Sequence, residues 1–372
     1  MSNPFTLGVI PPEAPFCDRS KELYELLSYA KSKANVVLYS PRRYGKTSLV
    51  KRVQSNIYAE GFIPIYVDLF GVTSIDCVAD RTAKGVYAAT KKNQPLFKKA
   101  IKLFKTFRPV LKPTETGDSF SIYVEPVHRQ LSGMDLLDST LEELGDFIAN
   151  VKKGVHIVFD EFQEITELNN MQIEGIMRSR IQDQDASYFF IGSRRRLLLD
   201  IFTRRNRPFF QSSIIYNLDR LPHDDLVLFI MDCFENERKR CPEEVAKQIS
   251  RRVSQHPYYA QKMSFYVFES TKTVAKPGYV TSAYEKVLEE ERYFFEAILQ
   301  GFTVKQISLL KAIANDPSLR VFSTEFLSKY RLSHGMVQKA LKKLSKFDLI
   351  EKNNQNRWQI VDPVFEDWLR RV

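Results

Sequence analysis

The stretch Asn35 to Val53, NVVLYSPRRYGKTSLVKRV, constrains the fold more than any other part of the chain. Val36-Val37-Leu38-Tyr39 is a short apolar run rich in β-branched residues, the pattern of a strand buried in a parallel sheet. Leu49, Val50, Val53 and Ile57 then recur at three- and four-residue intervals, which gives the segment Lys46 to Tyr58 one apolar helical stripe. Between strand and helix lies Ser40-Pro41-Arg42-Arg43-Tyr44-Gly45-Lys46-Thr47-Ser48, which has the spacing G-x-x-x-x-G-K-[ST] with serine in the first position.

Each residue type in that loop has a chemical reason. Backbone N–H groups at a helix N-terminus cradle phosphate oxygens, a lysine in the position of Lys46 neutralises the β- and γ-phosphates, and a hydroxyl in the position of Thr47 ligates Mg²⁺. Gly45 leaves room for the loop to approach the phosphates. Ser40 departs from the motif: if its backbone needed a positive φ, the cost would be on the order of 1–3 kcal/mol. The stretch therefore points to a nucleotide site built from Ser40, Pro41, Arg42, Arg43, Tyr44, Gly45, Lys46, Thr47 and Ser48.

With 372 residues and 44% apolar content, the chain is long enough for two or three domains. No run approaches the ~18 apolar residues of a membrane span, and MSNPFTLGVIPPEAP has neither the basic start nor the apolar core of an export signal, so the cytoplasm is expected. Cys17, Cys77, Cys233 and Cys241 are scattered and argue against a zinc site or a disulfide framework. Net charge is +10, and between Arg81 and Lys112 there are ten basic residues and no acidic one. Such a segment either meets a phosphate backbone or acidic partner, or is a solvated helix face.

Taken in order, residues 1–15 read as a proline-rich extended arm, and Leu23, Leu26, Leu27 and Ala30 share one face of a helix. Ile63 to Leu69 reads as a strand, 80–105 as a basic helix, and 107–126 as a hairpin turning around Thr114–Asp118. This helix and hairpin, at about 80–126, interrupt the βα alternation as an insertion. Met134 to Lys152 restores a helix. Val155-His156-Ile157-Val158-Phe159 is a strand closed by Asp160 and Glu161, 113 residues after Thr47. Paired acids at such a strand end suit Mg²⁺ binding by Asp160 and activation of the attacking water by Glu161. His156 reads as a strand residue with a satisfied ring.

Ser187 to Ile191 is a further strand, ending in Gly192-Ser193-Arg194. Ser193 is placed to sense a γ-phosphate and Arg194 to stabilise charge in the transition state, although six arginines between 194 and 207 leave open which one acts, and on which subunit. Ser213 to Asn217 is the last core strand. Residues 1–222 thus form an α/β nucleotide-binding core, 223–300 a helical lid, and 301–372 a third domain. In that third domain, Thr303-x-x-Gln306 has capping-box form, and Ser333 starts a helix with Gln338, Lys339, Lys342, Lys343 and Lys346 outward. Two short strands flank Asn353–Asn356 after it. Three helices and such a hairpin describe a winged helix-turn-helix, with thirteen basic and seven acidic residues over 301–372.

These runs resemble a known group, the P-loop ATPases common in archaea and some bacteria, related to the STAND class within the AAA+-like branch. Ser40–Leu49 is similar to its G-P-R-R-x-G-K-T-S-L, Val158–Glu164 to its second nucleotide motif, and Asp362–Leu369 to the end of its winged helix. Weaker matches are Phe16–Glu22, where Arg19 and Glu22 fit a motif packing near adenine while Asp18 and Ser20 depart from it, and Gln255-His256-Pro257, which resembles a G-x-P motif of the lid and puts Pro257 near the base or ribose. The resemblance implies a parallel sheet of order 5-1-4-3-2, ATP hydrolysis with Mg²⁺ and nucleotide-driven domain movement. DNA would be met through 333–360 and the basic segment 81–112; the alternatives are a gated module with little hydrolysis, a protein partner, or a homo-oligomer. No membrane contact is expected.

Overall fold

The structure is a computed structural model, and it describes all residues except 1–2, 12–13, 15, 18, 114–119, 128–130, 169–170, 318–319 and 354. The expected turn at 114–118, Asp18 and Asn354 therefore lie outside the described residues. The chain forms two compact units, one of Ser20–Ser40 and Lys46–Leu218, the other of Met1–Arg19, Pro41–Gly45 and Asp219–Val372.

Among the described residues, seven strands belong to the first unit: β1 (Val36–Tyr39), β2 (Ile63–Asp68), β3 (Phe107–Pro113), β4 (Phe120–Pro126), β5 (Val155–Asp160), β6 (Ser187–Gly192) and β7 (Ile214–Asn217). Five of them make one parallel sheet in the order β2-β5-β6-β1-β7. Counted along the chain, these five are strands 2-3-4-1-5. Every residue of β5 and β6 is buried, the polar His156, Asp160 and Ser187 included, as in strands covered on both faces. Phe159, Tyr188 and Phe190 stack at 6.2 Å, and Phe162, Phe202 and Phe209 complete a cluster around Phe190. Truncating a buried phenylalanine of this kind costs about 3–5 kcal/mol, so the cluster holds the C-terminal ends of β5 and β6, where the acids and Ser193 sit.

The single helix expected over 80–105 is two, Ile75–Thr90 and Gln94–Leu103. The break has a local cause: the Asn93 side chain accepts from the N–H of Leu96 and Pro95 stands in the first turn, so a second helix starts there. β3 and β4 pair antiparallel, with Phe107, Ile122 and Val124 buried against the core.

The second unit holds four helices, His223–Asn236, Glu243–Arg252, Pro257–Ser270 and Pro277–Gln300, followed by Val304–Asn315, Thr324–Lys329, His334–Lys346, strands β8 (Ile350–Lys352) and β9 (Trp358–Ile360), and the closing helix Pro363–Arg371. Thr303 and Gln306 form the expected capping box. Ser333 occupies the N-cap position without a side-chain capping bond. Asp362 caps the last helix through the N–H groups of Val364 and Phe365, and its other oxygen takes the Tyr259 hydroxyl at 2.7 Å, which ties the winged helix to Pro257–Ser270. Within the N-terminal segment, Phe5 is 3% exposed among Phe229, Phe234 and Phe268.

Candidate nucleotide-phosphate site

β1 delivers the chain to Ser40, and the helix Lys46–Ala59 receives it. Gly45 has φ +86°, a conformation that a side chain would strain. Ser40 is not in the left-handed region, so the cost considered for a serine there does not arise. Positive φ falls instead on Arg43, at +66°. Lys46 is buried, and its ammonium donates to the carbonyl of Ser40 at 3.0 Å and to Ser40 Oγ at 3.2 Å. These neutral acceptors hold a buried cation at the start of a helix, a setting that an anion complements.

At the end of β5, Thr47 Oγ1 donates to Asp160 Oδ2 at 3.1 Å, and the Tyr66 hydroxyl from the neighbouring β2 donates to the same oxygen. Asp160 is 6% exposed; burial pushes its pKa up, the Tyr66 bond works against that, and Glu161 adds to it. Hydroxyl and carboxylate oxygens side by side are the hard donors Mg²⁺ prefers, and a cation would relieve the buried charge. No group of three or more His, Cys, Asp or Glu able to hold a metal exists among the described residues. The residues therefore fit Mg²⁺ only in the manner in which one or two protein oxygens share it with phosphates.

Glu161 has φ +51°, an uncommon conformation for a non-glycine residue and one typical of functional turns. Ser193 Oγ, at the end of β6, donates to its carboxylate at 2.9 Å, and Gln163 Nε2 donates at 2.5 Å. The two residues that the sequence placed at separate strand ends are thus bonded to each other. Gln163 was not legible beforehand, nor was Tyr66: the first follows Glu161 by two residues in a 3-10 turn, and the second approaches Asp160 only through strand pairing. Gly192 makes room for Gln163, because a Cβ there would stand 1.9 Å from Gln163 Oε1.

The Arg194 guanidinium is bonded to Glu164 and, at 2.7 Å, to Glu167. Of the other arginines, Arg204 pairs with Asp200 and Arg207 with Glu174, whereas exposed Arg205 has no ion pair among the described residues.

In the second unit, Arg43 Nη1 meets Glu291 at 2.8 Å and its guanidinium lies 4.3 Å from the Tyr258 ring centroid. Tyr44 is buried with its ring edge-on to His256 at 4.8 Å, while Arg42 is exposed. Pro257 opens its helix behind the N-cap residue His256, and the two residues before that, Ser254 and Gln255, take φ +48° and +56°. The turn that a glycine would make easily is therefore formed by glutamine. Arg19 is 5% exposed and donates to the carbonyl of Asp219 at 2.5 Å.

A parallel sheet with this loop and an acid-terminated strand has the form of a P-loop nucleotide-binding core, and the chain closes on a winged helix. Residues 16–262 match the family model described as "ATPase domain predominantly from Archaea", and residues 293–371 match one described as "Probable winged helix domain". The chain belongs to that archaeal-type ATPase family. Among solved structures, it is similar to the Walker-type ATPase of Pyrococcus abyssi, with TM-score 0.71 at 16% identity over 98% of this chain and 99% of the other. The Aeropyrum pernix ORC2 protein, in ADPNP and ADP complexes, gives 0.59 at 13% identity over 99% and 98%. The Aeropyrum pernix ORC1 protein, in complex with DNA, gives 0.50 at 14% identity over 98% and 94%. At these identities the likeness is one of fold. A search of curated proteins returned no match. Among the described residues no helix is long and apolar enough to cross a membrane.

Proposed function

We propose that this chain is a cytoplasmic switch that binds ATP with Mg²⁺, hydrolyses it to ADP and phosphate, and couples that cycle to DNA binding by its winged helix. Three parts divide the work: a core over 1–222, a helical lid over 223–300 and the winged helix over 301–372. The observation that carries the reading is the bond from Ser193 Oγ to Glu161 at 2.9 Å, next to the Thr47–Asp160 pair. It supports the reading because Ser193 and Glu161 are within hydrogen-bond distance of each other, as a sensor and a base acting on one phosphoryl group would need to be.

In this reading, the backbone of Pro41–Gly45 and the N-terminus of Lys46–Ala59 hold the phosphates, with Lys46 neutralising them and Thr47 and Asp160 holding the metal. Bound Mg²⁺ would supply charge neutralisation at the phosphate oxygens. Glu161 accepts a proton from the water whose oxygen bonds to the γ-phosphorus; the bond from that phosphorus to the bridging oxygen breaks, and ADP leaves. Arg194 reaches the transferred group only after exchanging Glu164 and Glu167 for it. Arg19 and Pro257 contact the base or ribose.

The grip of Ser193 and Gln163 on Glu161 favours a second reading of the rate, a gated module that turns over slowly until a partner frees the carboxylate. On the winged helix, Lys339, Lys342 and Lys346 are exposed without ion pairs among the described residues, which supports phosphate contact. Lys343 instead donates to the carbonyl of Gly301 at 2.9 Å. The test is nucleotide binding and phosphate release with and without duplex DNA. Loss of ATP binding in Lys46→Ala supports the site; unchanged binding refutes it.

A further inference from the structure

Several cations of the first unit are matched by acids: Lys31 by Glu60, Lys33 by Asp185, Arg108 by Glu125, Arg180 by Asp138 and Glu142. The helix Gln94–Leu103 and its flanks instead concentrate unmatched lysines in a short stretch of chain. Lys91, Lys92, Lys98, Lys102 and Lys105 are all exposed, and none has an ion pair among the described residues. Phe97 and Leu103 turn to the core with buried Ala100, so Lys98 and Lys102, one helical turn or about 6 Å apart, share the outward face. A cation near a helix C-terminus is only weakly favoured by the helix dipole, and only within the last turn. That accounts for one or two lysines but not for a run of five set against one another.

We infer that this lysine ridge is a second DNA-binding surface, which takes the phosphate backbone of a duplex without reading its sequence. The occupant follows from the chemistry. Protein–protein interfaces are depleted in lysine, whereas backbone neutralisation by Lys and Arg supplies most non-specific affinity for DNA. A single strand would need aromatic platforms, and Phe104, beside the ridge, is buried while Phe97 packs inward. Only the choice of polymer rests on the DNA reading above, and separate variants test the ridge and the winged helix.

The experiment is fluorescence anisotropy of the full-length protein with a labelled duplex of about 20 base pairs, across a salt series. Lys98/Lys102/Lys105→Gln is compared with Lys339/Lys342/Lys346→Gln, and ATP binding serves as the folding control. The ridge variant is expected to lower the slope of log K against log salt by about 2–3 and to weaken binding roughly tenfold or more near physiological salt. That loss should persist in the winged-helix background. An unchanged slope in the ridge variant overturns the inference whatever the winged-helix variant does, and so does wild type that binds no duplex. Tighter binding to single strand, or to poly-glutamate of equal charge, overturns it in favour of those partners.

Discussion

Arg43, in the middle of the phosphate loop, and Glu291, on the long helix Pro277–Gln300, form an ion pair at 2.8 Å. Glu291 is 1% exposed and also accepts from Lys262 at 2.7 Å and from the Tyr258 hydroxyl at 3.1 Å. Burial works against its charge, yet the hydrogen bonds from Lys262 and Arg43 hold its pKa below the ordinary carboxylate value. The two cations are not equivalent, since Lys262 is 7% exposed and Arg43 40%.

Removing different members of this cluster should therefore have unequal effects. Glu291→Ala leaves buried Lys262 only the more exposed Glu290, at 3.0 Å, and is expected to cost about 3 kcal/mol, the low end for a broken buried pair. Arg43→Ala leaves the Lys262–Glu291 pair intact, and solvent already screens Arg43, so about 1 kcal/mol or less is expected. Both tryptophans, Trp358 and Trp368, lie in the same unit, so urea unfolding followed by their fluorescence measures it directly. Equal losses would show that Lys262 is not the partner that matters.

Gly192 and Gln163 give a paired prediction. Gly192→Ala drives a Cβ against Gln163 Oε1 and should move the amide off Glu161, at a cost of about 1–3 kcal/mol in stability. Gln163→Ala removes the obstacle, so the double variant should recover most of that loss. Thermal unfolding of the four proteins forms a double-mutant cycle, and strict additivity would mean that the close approach is not felt.

Two buried histidines set a pH dependence. Burial pushes the pKa of His156 and of His256 down to about 3, against 6.5 when free. Each therefore stays neutral when folded, while the unfolded chain takes up a proton below about pH 6.5, so stability is present above that value and is lost as pH falls. Between about pH 7 and pH 5.5 each should cost about 1 kcal/mol. His156→Gln should flatten part of that slope in urea titrations; a slope unchanged by the substitution would assign it to other groups.

The sheet and the phosphate loop were legible because strand burial and helix amphipathicity repeat in Val36–Tyr39, Lys46–Ala59 and Val155–Asp160. Backbone conformation was not. The motif pointed to Ser40 as the strained position, but loop closure puts positive φ at Arg43, a position where the motif allows any residue. At Gln255 the residue type changed while the conformation associated with glycine stayed. Asn93 and Pro95 carried the signal that splits the segment 80–105, and a purely periodic reading passes over it. Tyr66 reaches Asp160 across 94 residues of chain, a contact that strand register creates and no local pattern announces.

The central claim is that Glu161 is the base of an ATP hydrolase, and Glu161→Gln tests it most directly. With Ser193 and Gln163 still able to bond the side chain, ATP binding should stay within about threefold of wild type. Single-turnover phosphate release should fall by roughly 10²–10⁴, the usual contribution of a positioned general base. Phosphate release at the wild-type rate in Glu161→Gln, with binding intact, would contradict the account.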